Sequence, residues 1–196
     1  MATQKVLYAY GTQVCFADHA TDFDHPATDP TAANSIIVGT PTEVQMNLSV
    51  IAAAAAWQSA KTATLVHTGS SWPMEWKFGA CMESTATPAA GGTFDFYWNP
   101  SPNATAGNGN SGGCSGTDSS YTYTASSLSQ LDYIGSLTVR ANVINIKSNI
   151  GTILMPYPYG SLVVVNNTSV AMVADADADQ CYVVATPIIP DVQAAA

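Results

Sequence analysis

Basic residues are scarce in this sequence of 196 residues. Only five side chains are basic (Lys5, Lys61, Lys77, Lys147 and Arg140), and the formal net charge is −9. Proteins that bind DNA or RNA neutralise phosphates with clustered Lys and Arg, and the sequence has no such cluster. The same shortage argues against docking on an anionic membrane surface. We therefore expect neither nucleic acid nor a membrane among the partners.

Two other absences concern charge density and apolar runs. Charged residues make up 10% of the chain, against about 25% in ordinary soluble domains. The sequence has no run of roughly 18–20 apolar residues, the length needed for a membrane span. The first ten residues lack a charged segment followed by an apolar one, so they do not match a secretory signal. We expect synthesis in the cytoplasm and a surface built from Ser, Thr, Asn, Gln and Gly.

Motifs that mark catalysis are also missing. The sequence contains no H-E-x-x-H and no phosphate-binding loop. Residues 107–113 match G-x-G-x-x-G and G-x-S-x-G by letter, but they lie in a Gly-, Asn- and Ser-rich segment without the strand and helix that either motif requires. It has only three glutamates, Glu43, Glu75 and Glu83, and nothing in their spacing pairs two carboxylates in a cleft. We therefore expect a protein that is not an enzyme and that uses no cofactor.

One acidic run remains a weak candidate for a metal site. Asp175, Asp177 and Asp179 alternate with alanines and resemble the start of a calcium-binding EF-hand loop. That loop requires Gly at its sixth position and Glu at its twelfth, where this chain has Gln180 and Thr186. The EF-hand motif therefore fails, and the alternatives are a solvated turn or edge and a bridged calcium ion.

Four cysteines, Cys15, Cys81, Cys114 and Cys181, are spaced widely and irregularly. No C-x-x-C pair is present, which argues against a zinc or thioredoxin-type site. Buried thiols that pack as small apolar groups are one interpretation. One or two disulfides formed in an oxidising environment are the other, and the spacing does not choose between them.

Alternating apolar and polar residues predict β-strands through most of the chain. The pattern is clear at 72–83, where Trp76 and Phe78 share a face, and at 93–99, where Phe94, Phe96 and Trp98 do. Further strands are expected at 43–56, 131–139, 143–147, 161–166 and 180–186. Short strands separated by turn residues, with no convincing amphipathic helix, are typical of an all-β sandwich or barrel.

We expect one β-sandwich domain over residues 36–187. Residues 1–35 would form an extended arm or a surface loop, and residues 188–196 an extended tail. The Gly-, Asn- and Ser-rich segment 100–120 is a long loop, and long loops in compact domains are usually functional or interface-forming. The residues proposed to contact other subunits are Asn108 and Asn110 in this loop, and Tyr157 and Tyr159 in a Pro-rich break.

A series of motifs in a fixed order resembles a family of small structural proteins encoded among the head and tail genes of tailed phages. The motifs are WQSAK at 57–61, FDFYWNPSP at 94–102, GGCSGTD at 112–118, QLDYIGSLTV at 130–139, YGSLVV at 159–164 and TPIIP at 186–190. The resemblance covers roughly residues 45–193. It includes neither the set of four cysteines nor the acidic run at 175–179, and it transfers no catalytic residue.

This resemblance implies a jelly-roll-like fold and a virion component, most specifically a capsid decoration (cement) protein that binds and stabilises the assembled head. The partners implied are the major capsid protein and further copies of this chain in a homo-oligomer. Location on the capsid surface follows from this interpretation. The alternative is a tail, neck or host-binding protein of the same particle, including a carbohydrate-binding one.

Overall fold

A computed structural model describes residues 5–19, 36–63, 65, 73, 75–140, 145–173 and 181–193. The elements are β1 Lys5–Tyr10, β2 Val14–Ala17, β3 Thr42–Gln45, β4 Ala56–Gln58, β5 Glu75–Glu83, β6 Thr93–Ser101, β7 Ser119–Ser120, α1 Ala125–Leu128, β8 Asp132–Thr138, β9 Asn145–Leu154, β10 Tyr159–Asn166 and β11 Tyr182–Gln193, with a 3-10 turn at Leu48–Val50. In this part of the chain no helix is both long enough and apolar enough to cross a bilayer.

The strands form two sheets. The first sheet has the order β3-β2-β11-β5-β9, with β1 also on β11, and the second has the order β7-β4-β10-β6-β8. Eight strands (β2, β4, β5, β6, β8, β9, β10 and β11) are nested along the chain. The first of them pairs with the last, the second with the seventh, the third with the sixth and the fourth with the fifth, always antiparallel. This nesting defines a jelly roll, so the expected all-β, jelly-roll-like sandwich is confirmed.

The core lies between the two sheets and explains the alternation in the sequence. Phe94, Phe96 and Trp98 of β6 are fully buried, while the residues between them face outward and are only partly buried or polar. The Trp98 ring meets two rings of the opposite sheet, Phe16 and Phe78, each with centroids 6.3 Å away. Burying a large apolar side chain contributes about 1.5–3 kcal/mol, so these contacts hold the sheets together.

The sandwich extends beyond the expected limits of 36 and 187. Strand β2 lies within the segment expected to be an arm or loop, yet it pairs with β11 and places Val14 and Phe16 in the core. All four of its residues are buried, because the outer face is also covered, and so it shows no alternation. Strand β11 continues from Tyr182 to Gln193 without a break at 187. Of the residues expected to form an arm and a tail, the described segments 5–10, 14–17 and 188–193 thus form strands of the first sheet.

The expected strand at 43–56 is interrupted. Strand β3 ends at Gln45, a 3-10 turn follows at Leu48–Val50, and β4 starts at Ala56 in the other sheet. Leu48 and Ile51 are both buried in the core. The segment therefore crosses from one sheet to the other, and its apolar residues point inward through a turn rather than along a strand.

The loop expected at 100–120 is a third layer of the protein. Together with α1 it covers the outer face of the second sheet, where Cys114, Tyr121 and Leu131 pack on Val163 and Val165 of β10. These five side chains are at most 7% exposed. The segment therefore contributes to a small second core, which its Gly-rich composition did not predict.

Candidate binding surfaces

The acidic run Asp175, Asp177 and Asp179 lies outside the described residues, so its proposed cation binding stays a prediction. Within the described ranges, no group of three or more His, Cys, Asp or Glu side chains is placed to hold a metal ion.

Tyr157 and Tyr159 flank the turn that leads into β10. Tyr157 is 44% exposed, and Leu154, at the end of β9 just before this turn, is 62% exposed. Tyr159 is half-buried and opens β10 opposite Ser101 of β6. Tyr157 is thus available for contact with another molecule, whereas Tyr159 is partly used by the sheet.

Lys61 organises the loop that contains Asn108. Its Nζ lies 2.9 Å from Ser101 Oγ, and 3.1, 2.9 and 2.7 Å from the carbonyl oxygens of Asn103, Thr105 and Asn108. Hydrogen bonds from an ionised donor are stronger than neutral ones, so the Lys61 ammonium holds this loop in place. Burial lowers the pKa of Lys61. Asn108 is bound through its backbone, and its exposed side chain faces solvent.

Asn110 has a structural role within the same loop, because its amide donates to the carbonyl oxygen of Ala106. The far end of the loop is tied down by Asp118. Its Oδ1 accepts from Trp57 Nε1 at 2.6 Å and from the backbone N–H of Asn47 at 2.9 Å. The loop is therefore held at both ends by charge-assisted hydrogen bonds, to Lys61 and to Asp118.

A group of polar and aromatic side chains lies beside this third layer on the second sheet. We call Asp95, Tyr97, Tyr133, Ser136 and Asn167 the tyrosine face. Tyr97 and Tyr133 are directly opposite each other on β6 and β8, with ring centroids 5.3 Å apart and planes inclined at 56°. The Tyr133 hydroxyl lies 2.5 Å from Ser136 Oγ, so the ring lies along its own strand.

Asp95 connects three strands at the edge of this pair of rings. Its carboxylate accepts a hydrogen bond from Ser136 Oγ and another, at 2.6 Å, from the amide of Asn167 just after β10. Burial, followed by the negative charge of Asp95, raises the pKa of Tyr97. Both rings are held in place by their neighbours on the sheet, and Tyr133 is 54% exposed to solvent.

A second surface projects from the first sheet. Strand β1 pairs with residues 188–193 of β11, and we call this pair of strands the terminal ribbon. Strand β5 pairs with β11 only as far as Ile188, opposite Glu75, so beyond that point β1 is the neighbour that the structure describes. Tyr8 and Tyr10 on this ribbon are 74% and 70% exposed.

A cavity of about 260 Å³ opens at the base of the terminal ribbon. Its lining includes Tyr10, Gln13, Ile36, Val38, Lys77 and Thr186. One wall is held by the Gln13 side chain, which donates to the Ile36 carbonyl and accepts from the Val38 N–H. The cavity has a fixed wall and is wide enough for one large side chain of a partner.

All four cysteines are buried thiols that form no disulfide. Cys15 and Cys81 lie on β2 and β5, on opposite sides of β11. Their backbones are therefore about 9–10 Å apart, farther than a disulfide can span. Burial raises the pKa of Cys114 to about 11 and that of Cys181 to about 12. The thiols are packing groups, as one of the two interpretations of the sequence held.

Part of the tyrosine face was visible in the sequence. Strand β6 has Asp95 and Tyr97 between its buried aromatic residues, which marks them as outward-facing. The position of Tyr133 was not visible, because the β6–β8 register shifts between Phe96 and Tyr97. That irregularity decides which residue of β8 lies opposite Tyr97. Gly135, a glycine inside the strand, is a local sign of a bulge, but it does not fix the register.

No family model, no curated protein and no solved structure matches this chain.

Proposed function

We propose that this chain is a structural subunit of a tailed-phage virion, and that it acts as a decoration protein binding and stabilising the assembled head. The ordered motifs between residues 57 and 190 support this placement. The jelly roll is compatible with it, since capsid subunits and lectins are among the proteins that use this fold. A fold alone does not define a function, and the further support comes from an exposed surface of this chain.

The terminal ribbon is the observation on which the proposal rests. A two-stranded ribbon is at best marginally stable by itself in water, and this one has Tyr8, Ala9, Tyr10 and Pro190 exposed. Large exposed aromatic side chains on a narrow projection favour contact with another subunit. In the proposed complex, the ribbon packs on the major capsid protein or on a neighbouring copy of this chain.

The chemistry of the surface agrees with a partner that is bound by many weak contacts. Only 10% of the residues are charged, so little charge has to be desolvated when the chain packs against a shell. Within the described residues β1 pairs with β11 alone, and sheet proteins usually cover or pair the remaining edge of such a strand. A neighbouring subunit would cover this edge of β1 and would bind with little desolvation of charge. In this role the chain works without catalysis or a cofactor.

The test measures binding of the purified protein to phage heads that lack it, prepared from the phage that encodes this chain. The wild-type protein should sediment with these heads, and the double variant Tyr8→Ala/Tyr10→Ala should lose at least tenfold in affinity. Tyr133→Ala is the matched control, because it removes an exposed tyrosine from the second sheet, away from the ribbon. Equal binding by the double variant, with its fold intact by circular dichroism, would exclude the ribbon as the docking surface.

A tail, neck or host-binding role in the same particle is the second candidate. Cryo-electron microscopy of the intact particle distinguishes the two, because it locates the chain directly. Density for the jelly roll on the head supports the decoration role. Density only at the tail or neck overturns it.

A further inference from the structure

We propose that the tyrosine face is a binding site for a neutral oligosaccharide. This inference goes beyond the proposed function, since the face lies on the second sheet and the terminal ribbon on the first. A head protein or a tail protein could use it equally.

The two tyrosines supply the apolar part of the site. Sugar rings present C–H groups on one side, and aromatic faces have a negative potential that attracts such groups. Tyr133 is 54% exposed, and its hydroxyl contact with Ser136 holds the ring along the strand. Tyr97, inclined at 56° to it, forms a side wall. Because both rings are already fixed, little side-chain entropy is lost when a ligand binds.

The polar part of the site lies at the hydroxyl end of Tyr133. Asp95 accepts two hydrogen bonds, from Ser136 and Asn167, whereas an ionised carboxylate has about four acceptor sites. The Asn167 amide is exposed and uses one N–H on Asp95. Its second N–H and its carbonyl oxygen can bind hydroxyl groups. Acceptors and donors beside an aromatic face match the two sides of a sugar ring.

Charge selects the class of sugar. The Asp95 carboxylate in the polar part of the site repels acidic sugars and phosphates, and the whole chain has a formal net charge of −9. A neutral hexose or N-acetylhexosamine chain has hydroxyl donors for Asp95 and no charge to desolvate. The geometry therefore favours a neutral glycan over a sialylated or sulfated one.

The experiment titrates the full chain by calorimetry with three neutral probes, maltohexaose, cellohexaose and chitohexaose, and with sialyllactose as the acidic probe. At least one neutral probe should bind at millimolar concentration or below, and sialyllactose should not. Absence of binding by all three neutral probes, or binding of sialyllactose alone, overturns the proposal.

Variants then locate the site. Tyr133→Ala should weaken the neutral probe at least tenfold, and Asn167→Ala should also weaken it, while Tyr157→Ala should bind as the wild type does. Both altered side chains are exposed, so thermal unfolding should stay close to that of the wild type. Unchanged affinity in Tyr133→Ala and Asn167→Ala overturns the assignment. Tyr133→Ala should still sediment with phage heads, which separates this proposal from the decoration role.

Discussion

Gly135 of β8 lies against the backbone of β9, and Gly151 of β9 lies against the backbone of β8, at the edge where the two sheets meet. A Cβ atom on Gly135 would collide with the carbonyl oxygen of Ile150, and one on Gly151 with that of Ile134. Ile134 and Ile150 are the residues at which the β6–β8 and β5–β9 registers shift. A bulge in each edge strand therefore brings the two backbones together, and glycine leaves the space that this approach requires.

Gly151→Ala should therefore destabilise the protein. The added methyl group has backbone as its neighbour, which cannot rotate away, and overpacking of this kind costs about 1–3 kcal/mol. The measurement is the free energy of unfolding from denaturant titration. Gly107→Ala is the matched control, because a Cβ at Gly107 meets nothing within 4 Å. Equal stability of the two variants would contradict the close approach of β8 and β9.

The sequence predicted those strands whose two faces meet different surroundings. Strand β6 packs Phe94, Phe96 and Trp98 on the core and exposes its other face in part, so its period of two was visible. Strand β2 is buried on both faces and has no such period. Its role depends on pairing with β11, about 170 residues away in the chain, and a local pattern does not contain that information.

The third layer was missed for a similar reason. Its residues are Gly, Asn and Ser, which by composition indicate a solvated loop. What orders them is Lys61, which reaches the loop from another part of the chain. The tyrosine face likewise depends on the register shift beside Tyr97. In each case the determining contact joins residues distant in sequence, so neither composition nor periodicity could predict it.

Lys61→Met should loosen the 102–118 loop. The substitution keeps most of the apolar stem but removes the ammonium, which leaves the carbonyl oxygens of Asn103, Thr105 and Asn108 without this donor. Hydrogen bonds to charged groups contribute about 1.5–3 kcal/mol each, so we expect a loss of a few kcal/mol in stability. Hydrogen exchange should be faster than in the wild type at residues 102–118 in particular.

The control for this variant is Lys77→Met, which removes an ammonium from the first sheet at the cavity beside the terminal ribbon. It should leave hydrogen exchange in the 102–118 loop unchanged. If Lys61→Met also left that exchange unchanged, the ammonium would not be what orders the loop.

The cysteines should be inert in the folded protein. The thiolate is the reactive form, and burial raises the pKa of Cys114 to about 11 and that of Cys181 to about 12. An aromatic disulfide reagent near neutral pH should label none of the thiols quickly under native conditions. In concentrated guanidinium chloride, without reductant, it should label all four. A lower count in the denaturant would reveal a disulfide, and fast native labelling would contradict the burial.

The same burial makes stability depend on pH in the alkaline range. An unfolded cysteine loses its proton near pH 9.0, whereas folded Cys181 keeps its proton up to about pH 12. Between these values the folded state binds more protons than the unfolded state, so the free energy of unfolding falls as pH rises. The slope for one thiol approaches about 1.4 kcal/mol per pH unit.

Cys181→Ala lacks this titration. The free energy of unfolding of the wild type should therefore fall relative to that of the variant as pH rises from about 8 to about 11. Since the two proteins differ only at this position, the comparison isolates one thiol. A stability difference that stays constant over this pH range would show that Cys181 is not buried as a neutral group.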